Sequence, residues 1–339
     1  MASGSEQHEE PMSDIRRREF ITLFGGAAAA WPFAARAEQP PVIGLISAGT
    51  RESAAYGMTV FRQGLNEAGY AEGQSVAIEN RWAEARYELM PELVADLLHR
   101  RVAIIATPGS MDAALAAKAA TTAVSIVFAD EVDPVKLGLV KSVVQPGGNV
   151  TGMTVPGIEL QENRMRLLRE LVPTLNSIAV LLNPARPVFD AQSKAIQETA
   201  SAVTLDIYIL RASSEPEIDS AFTVAAQRRP GAFIVASDAF FDRRREQLIT
   251  LAKNHAIPTL YHNREFVAAG GLMSYGTSIA YEYRQTGIYA GRILKGEKPA
   301  DLPVTESTRF DFVINLRSAR TLGLNVPPSL LARADEVIE

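Results

Sequence analysis

Side chains able to do chemistry are few in this chain and form no known catalytic motif. The 339-residue sequence has no cysteine, which excludes thiol catalysis, cysteine-bound metals and a lipid-modified N-terminal cysteine. Nucleophile elbows, phosphate-binding P-loops and the His-Glu-x-x-His zinc motif are all missing. His8 lies near the N-terminus, and His99, His255 and His262 share no metal-ligand spacing. We therefore expect a protein that is not an enzyme and has no resident metal or cofactor.

Carboxylates that follow predicted strands are the remaining reactive groups. Asp238 ends a buried apolar run, where a carboxylate is costly unless a cation or several donors meet it. Two interpretations stay open, an Asx cap for the following helix or a partner for a ligand's ammonium group. Glu131, Asp133 and Glu265 could join it as an acid/base or cation site, although no motif ties them together. A carboxylate-based enzyme is therefore the alternative of a different class.

The segment Thr107–Ser110 offers groups suited to the opposite charge. Gly109 lets the backbone approach a ligand, and free amides at a helix start favour an anion such as a carboxylate. Simple helix capping by Thr107 or Ser110 explains each residue equally well. Phe240 and Tyr261 could supply an aromatic wall, although aromatic side chains are more often part of the core.

The elements that must position these residues alternate between short apolar runs and longer helical stretches, which is typical of parallel βα units. The pattern occurs twice with similar order and spacing, and this indicates a fold-level duplication. The first series has strands at 42–46, 76–79, 102–106 and 124–128 and helices at 54–68, 87–99 and 111–120. The second has strands at 178–182, 205–210, 232–236 and 257–261 and helices at 191–202, 217–227 and 242–255.

Two such series predict an α/β fold of two doubly wound Rossmann-like lobes. Turn-rich segments at 146–152 and 270–276 predict several crossings between the lobes, which build a hinge rather than a single linker. Beyond them the pattern predicts a helix at 279–294, a strand at 310–316 and a final helix at 329–338. We assign lobe 1 to residues 42–152 plus about 275–310, and lobe 2 to 153–270 plus about 311–339.

Ligands of open α/β sheets bind outside the carboxyl ends of the strands. This rule nominates six loops, 47–50, 107–110, 129–134, 183–186, 237–241 and 261–265, which meet in one cleft if the lobes face each other. We hypothesise that an α-amino acid or similar zwitterion binds there. Its carboxylate would lie at Thr107–Ser110, its ammonium group at Asp238, and aromatic residues would cover an apolar side chain.

The N-terminus reads as an export signal. Arg16-Arg17-Arg18 precedes a short apolar run from Leu23 to Ala35, and Ala35-Arg36-Ala37 fits a signal-peptidase site. The paired arginines resemble the twin-arginine motif, so we expect residues 1–37 to be a cleaved leader and the mature chain to be periplasmic. An uncleaved membrane anchor is the alternative, and translation could start at Met1 or Met12.

The net charge of −5 argues against nucleic acid as a partner.

Several segments carry a resemblance to a known family. They are RRREFI at 16–21, VIG at 42–44, DPVKLG at 133–138, PGGNVTG at 146–152, REF at 264–266, GGLMSYG at 270–276, ILKGEKPADLPV at 293–304 and LGL at 322–324. Together they resemble the ABC-transporter substrate-binding proteins related to tryptophan-binding proteins. The likeness runs from about residue 16 to the C-terminus.

The resemblance implies a type I periplasmic binding-protein fold with three interlobe crossings. It also implies that the protein captures a small ligand and delivers it to an ABC permease and ATPase, and relatives with known ligands bind aromatic amino acids. We expect a monomer. The cleft positions it carries over are Ser47, Thr107, Ser110, Asn183, Asp238 and Tyr261. His262-Asn263 departs from the family's usual pair, which affects the expected side-chain specificity. A periplasmic sensor or scavenging receptor without a transporter is the alternative of the same fold.

Overall fold

The computed structural model describes residues 40–307 and 309–339, so the predicted leader lies outside the described residues. Lobe 1 is built on six strands: β1 (Val42–Ser47), β2 (Ala77–Trp82), β3 (Ile104–Pro108), β4 (Ser125–Asp130), β5 (Val150–Thr154) and β11 (Thr305–Glu306). Its helices are α1 (Arg51–Glu67), α2 (Met90–His99), α3 (Met111–Ala120) and α10 (Ile279–Leu294). The strands are parallel, in the order β11-β5-β4-β3-β1-β2.

Lobe 2 is built on seven strands: β6 (Ser177–Leu182), β7 (Asp206–Arg211), β8 (Ala232–Val235), β9 (Thr259–Tyr261), β10 (Met273–Thr277), β12 (Phe310–Asn315) and β13 (Glu336–Ile338). Its helices are α4 (Gly157–Leu171), α5 (Phe189–Ala202), α6 (Glu215–Arg228), α7 (Ala239–Arg243), α8 (Arg245–Asn254), α9 (Arg264–Ala268), α11 (Leu316–Thr321) and α12 (Pro328–Leu331). The order is β13-β12-β10-β9-β8-β6-β7, and only the β10–β12 pair is antiparallel among the described strands.

The strand order confirms the duplication read from the sequence. The first five strands of each lobe lie in the same order, with the second strand outside the first and the third on its other side. This is the doubly wound arrangement, which places a crevice beyond the carboxyl ends of the strands where the winding reverses. The two lobes are therefore repeats of one architecture, as the matched spacing predicted.

Each sheet is covered on both faces, because its strands are apolar on both sides. In β1, Ile43 and Leu45 pack with α1 and α10, whereas Ile46 packs in the cluster on the opposite face with α2 and α3. All three side chains are fully buried. Continuous apolar strands of this kind need helices on both faces, which parallel βα connections supply.

Three segments carry the chain between the lobes. β5 of lobe 1 leads into α4, whose Leu168 lies in the core of lobe 2. β10 of lobe 2 leads into α10, which packs on α1 of lobe 1, and β11 leads into β12. The multi-crossing hinge is thus present, while the exact residue boundaries of the two domains stay a prediction.

The predicted final helix at 329–338 is wrong. Helix α12 ends at Leu331, and Glu336–Ile338 forms β13, which pairs in parallel with β12. The amide of Asp335 donates to the carbonyl of Phe312 at 2.8 Å, and the Asp335 carboxylate accepts from the Phe312 amide at 2.8 Å. The backbone amide and carbonyl of Phe312 in β12 are satisfied by these bonds, so the chain extends along the sheet instead of continuing the helix.

Candidate functional site

A cavity of about 430 Å³ lies between the lobes at the carboxyl ends of their strands. All six loops that the sequence nominated contribute to it, so the strand-end rule located the cavity. Its polar lining includes Ser47, Glu52, Ser53, Asp130, Glu131, Arg186, Ser237, Asp238, Asp242, Arg245, His262, Asn263, Glu265, Thr277 and Glu282. Tyr56, Tyr87 and Tyr283 add aromatic walls from the side of lobe 1.

Of the predicted ligand-binding residues, Ser47, Gly109 and Asp238 line the cavity. Five are not among its lining residues: Thr107, Ser110, Asn183, Phe240 and Tyr261. Tyr261 is 1% exposed and stacks on Phe266 at 4.6 Å between ring centroids, on the sheet face opposite Leu260. Adjacent strand residues point to opposite faces, and this places the Tyr261 ring in the core of lobe 2. Ligand contact by the five residues stays a prediction.

The start of α3 is already occupied by protein acceptors. Ser110 is its N-cap and accepts from the Ala113 amide at 3.4 Å. The Asp130 carboxylate accepts from the Met111 amide at 2.9 Å, and the Gly109 amide donates to the carbonyl of Ala129 at 2.7 Å. These are the amides that we expected to hold a ligand carboxylate, and in this structure they hold groups of the chain itself.

Asp238 does cap a helix. Its Oδ1 accepts from the amides of Phe240 and Phe241 at 2.7 and 3.3 Å, and from Asn183 Nδ2 at 3.3 Å. Its Oδ2 accepts from the Tyr87 hydroxyl at 3.0 Å. Burial raises the pKa of this carboxyl, although Arg186 at 3.9 Å acts in the opposite direction. The Asx cap is therefore present, and the ammonium role remains a hypothesis.

Four residues join the lobes beside the cavity, and we call them the interlobe latch: Tyr87, Asp112, Arg186 and Asp238. The Arg186 guanidinium of lobe 2 meets Asp112 of lobe 1 at 2.8 Å, and the side chains are 8% and 0% exposed. The nearby Val188 is fully buried in a core cluster of lobe 1. The latch thus closes the lobes on each other through buried charge-assisted bonds.

Three carboxylates gather on the lobe 1 side of the cavity, and we call Asp130, Glu131 and Glu282 the acidic cluster. Burial, with repulsion from the other two, raises the pKa of Glu282 from 4.5 to about 8. Burial also raises the pKa of Asp130 to about 6, opposed by Arg186. Glu131 is paired with the buried Arg164 at 3.1 Å. The cluster as a whole is a place where a cation is stabilised.

Lobe 2 presents basic groups to the same cavity. The guanidinium of Arg245 lies 5.4 Å from the Phe266 ring centroid, and its Nε is buried without a hydrogen-bond partner. His262 lies 3.0 Å from Asp242 through Nε2, while its Nδ1 is buried and unpartnered. Burial alone would raise the pKa of Asp242, yet His262, Asn263 and Arg245 together hold it below its ordinary value.

Sequence reasoning missed several of these residues. Arg245 and Glu282 belong to helices whose first turns reach the cavity only because of the topology, and neither stands in a nominated loop. The one available signal was that α10 directly follows the 270–276 crossing. Asp133, in contrast, uses its carboxylate to accept from the amides of Val135 and Lys136 and does not line the cavity.

Neither a metal-ligand group nor a membrane-length helix occurs in residues 40–307 and 309–339. Within these ranges, no group of three or more histidine, aspartate or glutamate side chains is arranged to hold a metal ion. No helix in the same ranges has the length and apolarity required to span a bilayer.

Residues 42–338 match the family model described as ABC transporter substrate binding protein, and the chain belongs to that family. It is 24% identical over 271 residues to a tyrosine-binding protein of Clostridioides difficile, covering 78% of this chain and 75% of that protein. The chain is thus a substrate-binding protein of the ABC transporter type.

Solved structures show the same fold. A Vibrio cholerae conserved domain protein has a TM-score of 0.81 at 24% identity, covering 88% of this chain and 100% of that one. A Streptococcus pneumoniae domain in complex with L-Trp has a TM-score of 0.79 at 26% identity, again covering 88% and 100%. A ligand-free, open substrate-binding protein from Clostridium difficile has a TM-score of 0.64 at 22% identity, covering 88% and 99%.

Proposed function

We propose that this protein is the extracytoplasmic substrate-binding component of an ABC importer and that its ligand is an amino acid, with an aromatic side chain as the first expectation. The observation that carries the proposal is the cavity itself. Its volume of about 430 Å³ lies within the range of small-molecule sites, and its walls combine tyrosines with groups of both charges. A zwitterion with an apolar side chain suits such a lining.

The related proteins support the ligand class. One relative is named for tyrosine, and one solved neighbour is a complex with L-Trp. This chain is also more similar in shape to that complex than to the ligand-free, open neighbour. The similarity agrees with the latch contacts, which hold the two lobes together around the cavity.

Closure of the lobes around a ligand also supports delivery of that ligand to a permease and ATPase. A ligand that contacts both lobes is fully bound only when they close, so closure can report loading to the transporter. The predicted twin-arginine-like leader would export the chain to the periplasm, and we expect a monomer with lobes divided near residues 152, 275 and 310. A sensor without a transporter remains the alternative, and adjoining permease and ATPase genes would argue against it.

A thermal-shift screen of the mature protein tests the ligand class. We expect one or a few amino acids to raise the melting temperature, with nucleosides and aromatic acids lacking an amine as controls. A ligand at a hundred times its dissociation constant adds about 2.7 kcal/mol to the free energy of unfolding. Recovery of the ligand chemically unchanged after incubation argues against an enzyme. A response only to nucleosides or to none of the amino acids would contradict the proposal.

A further inference from the structure

We propose that Arg245 and Glu282 are the two charged poles of the ligand site, with Arg245 binding the ligand's carboxylate and Glu282 its ammonium group. This assignment rests on the proposed amino-acid ligand and names the groups that recognise it. It reverses the polarity expected from the sequence, in which the carboxylate lay on lobe 1 and the ammonium group on lobe 2.

Arg245 is the cavity arginine whose charge is available. Arg186 also lines the cavity, but it pairs with Asp112 at 2.8 Å and donates to the carbonyl of Ser237 at 2.8 Å. Arg245 lies near enough to Asp242 to help lower the pKa of that carboxyl, but it forms no ion pair within 4.0 Å in the described part of the chain, and its Nε is buried without a partner. A guanidinium in this position is costly until an acceptor meets it, and a carboxylate matches its fork geometry.

His262 provides an independent sign of a polar ligand on the same side. The residue is only 8% exposed and lines the cavity, and its Nε2 is engaged with Asp242 at 3.0 Å. Its Nδ1 is buried and has no hydrogen-bond partner among the described residues. Buried polar atoms in native proteins are rarely left unpaired, so the unsatisfied His262 ring beside the cavity is a second polar group available to a ligand.

Glu282 is the matching anionic pole. It is 8% exposed and faces the cavity, and it has no ion-pair partner in the described ranges. The other members of the acidic cluster are committed, because Asp130 accepts from the amides of Met111 and Val132 at 2.9 Å each and Glu131 pairs with Arg164. An ammonium group beside Glu282 would stabilise its charged form and take the place of the proton that the side chain holds in the ligand-free protein.

Asp238 is a poorer partner for an ammonium group. Both of its oxygens already accept bonds from the chain, and Arg186 supplies a nearby positive charge. In contrast, the Arg245–Glu282 pair lies on opposite lobes, α8 in lobe 2 and α10 in lobe 1. A zwitterion held between them joins the lobes through its own two charges, so ligand charge and closure become coupled.

Calorimetric titration with matched ligands tests the two poles separately. The probes are L-tyrosine, L-tyrosinamide, which lacks the carboxylate, and hydroxyphenyllactate, which lacks the ammonium group. The wild-type protein should bind each analogue roughly ten- to a hundredfold more weakly than L-tyrosine. Arg245→Gln should weaken L-tyrosine by a similar factor and no longer distinguish it from the amide. Glu282→Gln should likewise weaken binding of L-tyrosine and should no longer distinguish it from hydroxyphenyllactate.

Exposed residues outside the cavity lining provide the controls. Arg320→Gln and Glu246→Gln remove the same charges away from the cavity and should bind as the wild type does. Arg245→Lys should restore part of the preference for the acid, which separates a charge effect from misfolding. The assignment of the two poles would be overturned if Arg245→Gln and Glu282→Gln bound L-tyrosine with unchanged affinity and only Asp238→Asn bound it more weakly. The proposed amino-acid ligand would still stand. Failure of the wild type to bind any of the amino acids would overturn the proposed ligand and the assignment together.

Discussion

Glu282 shows how the cavity balances burial against charge. The side chain sits one turn into α10, nine-tenths buried, beside Asp130 and Glu131. Removing a carboxylate from water and placing it near like charges both favour its neutral form. The result is a pKa of about 8, so the ligand-free protein holds a proton there at neutral pH.

The first prediction concerns stability against pH. The pKa of Glu282 is higher in the folded state than its ordinary 4.5, so the folded chain binds more protons and loses stability as pH rises from about 4.5 to about 8. Glu282→Gln removes this loss. In ligand-free protein we expect its melting temperature to match the wild type near pH 5 and to exceed it by a few degrees above pH 8.

Melting curves of wild type, Glu282→Gln and Glu246→Gln across this pH range make the comparison. Glu246 is exposed and lies outside the cavity lining, so its variant should follow the wild type at every pH. A pH-independent difference between Glu282→Gln and wild type would contradict the buried-carboxylate explanation.

At the scale of single residues, the sequence predicted positions better than roles. Ser47, Gly109 and Asp238 were found because strand ends can be read from apolar runs. Tyr261 lies in the core of lobe 2, and the run of buried residues in β9 gives no alternation by which its orientation could have been predicted. Glu282 and Arg245 were missed because only the fold brings their helices to the cavity.

At the scale of elements, the packing of α10 on α1 decides where Glu282 and Tyr283 lie. The contact is close because glycines face it on both helices. A Cβ atom on Gly64 would lie 2.1 Å from the carbonyl oxygen of Arg284, and one on Gly287 would lie 2.2 Å from that of Phe61. Backbone rather than a flexible side chain is in the way, so the helices cannot yield locally.

The second prediction follows from this contact. Gly64→Ala should lower the free energy of unfolding by about 1–3 kcal/mol, because overpacking outweighs the gain in helix propensity of about 1 kcal/mol. Displacement of α10 should also weaken ligand binding. Urea unfolding with Gly148→Ala as the control measures the effect, since the nearest atom to a Cβ there is Lys118 Nζ at 3.9 Å. Equal stability of the two variants would show that the helices can separate at little cost.

Prediction of helices and strands from the sequence succeeded for long periodic segments and failed for short elements. Helix 279–294 was predicted at its observed bounds, and the Val42 and Ile178 strands were correct to within one residue. The helix predicted at 242–255 is instead split into α7 and α8, because Asp238 caps a short helix that starts earlier. At the C-terminus, pairing with β12 replaced the expected helix, and no local pattern reports such a distant partner.

At the scale of the whole molecule, we expect the interlobe latch to set how readily the cavity opens. Arg186 and Asp112 are both buried in the interface, and breaking such a pair leaves an uncompensated charge. The relative position of the lobes is thus coupled to one buried guanidinium, that of Arg186, which lies near three aspartates: Asp112, Asp130 and Asp238. Any opening motion must return these charges to water.

The third prediction tests the latch directly. Arg186→Gln leaves Asp112 without its partner, so the ligand-free protein should spend more time open. Its apparent affinity for ligand should fall in proportion to the decrease in the population of the closed state. The chain has no cysteine, so spin labels on cysteines introduced at Glu88 and Glu246, one on each lobe, report the distance cleanly. We expect a longer and broader distance distribution in Arg186→Gln.

Arg243→Gln is the matched control, because Arg243 also reaches across the lobes, donating to the carbonyl of Glu84 at 2.8 Å, but is exposed. Exposed contacts contribute little, so its distance distribution should stay close to that of the wild type. Identical distributions in both variants would mean that the buried latch does not hold the lobes.

The three crossings have a consequence for the order in which the chain can fold. Lobe 1 lacks α10 and β11 until residues 279–306 are present, and lobe 2 lacks β12 and β13 until residues 310–338 are present. Neither lobe can therefore be completed from one uninterrupted segment of the chain, and both wait for contacts between residues far apart in sequence. Such a chain gains from folding completely before export, and folded cargo is what the twin-arginine-like signal predicted from the sequence would carry.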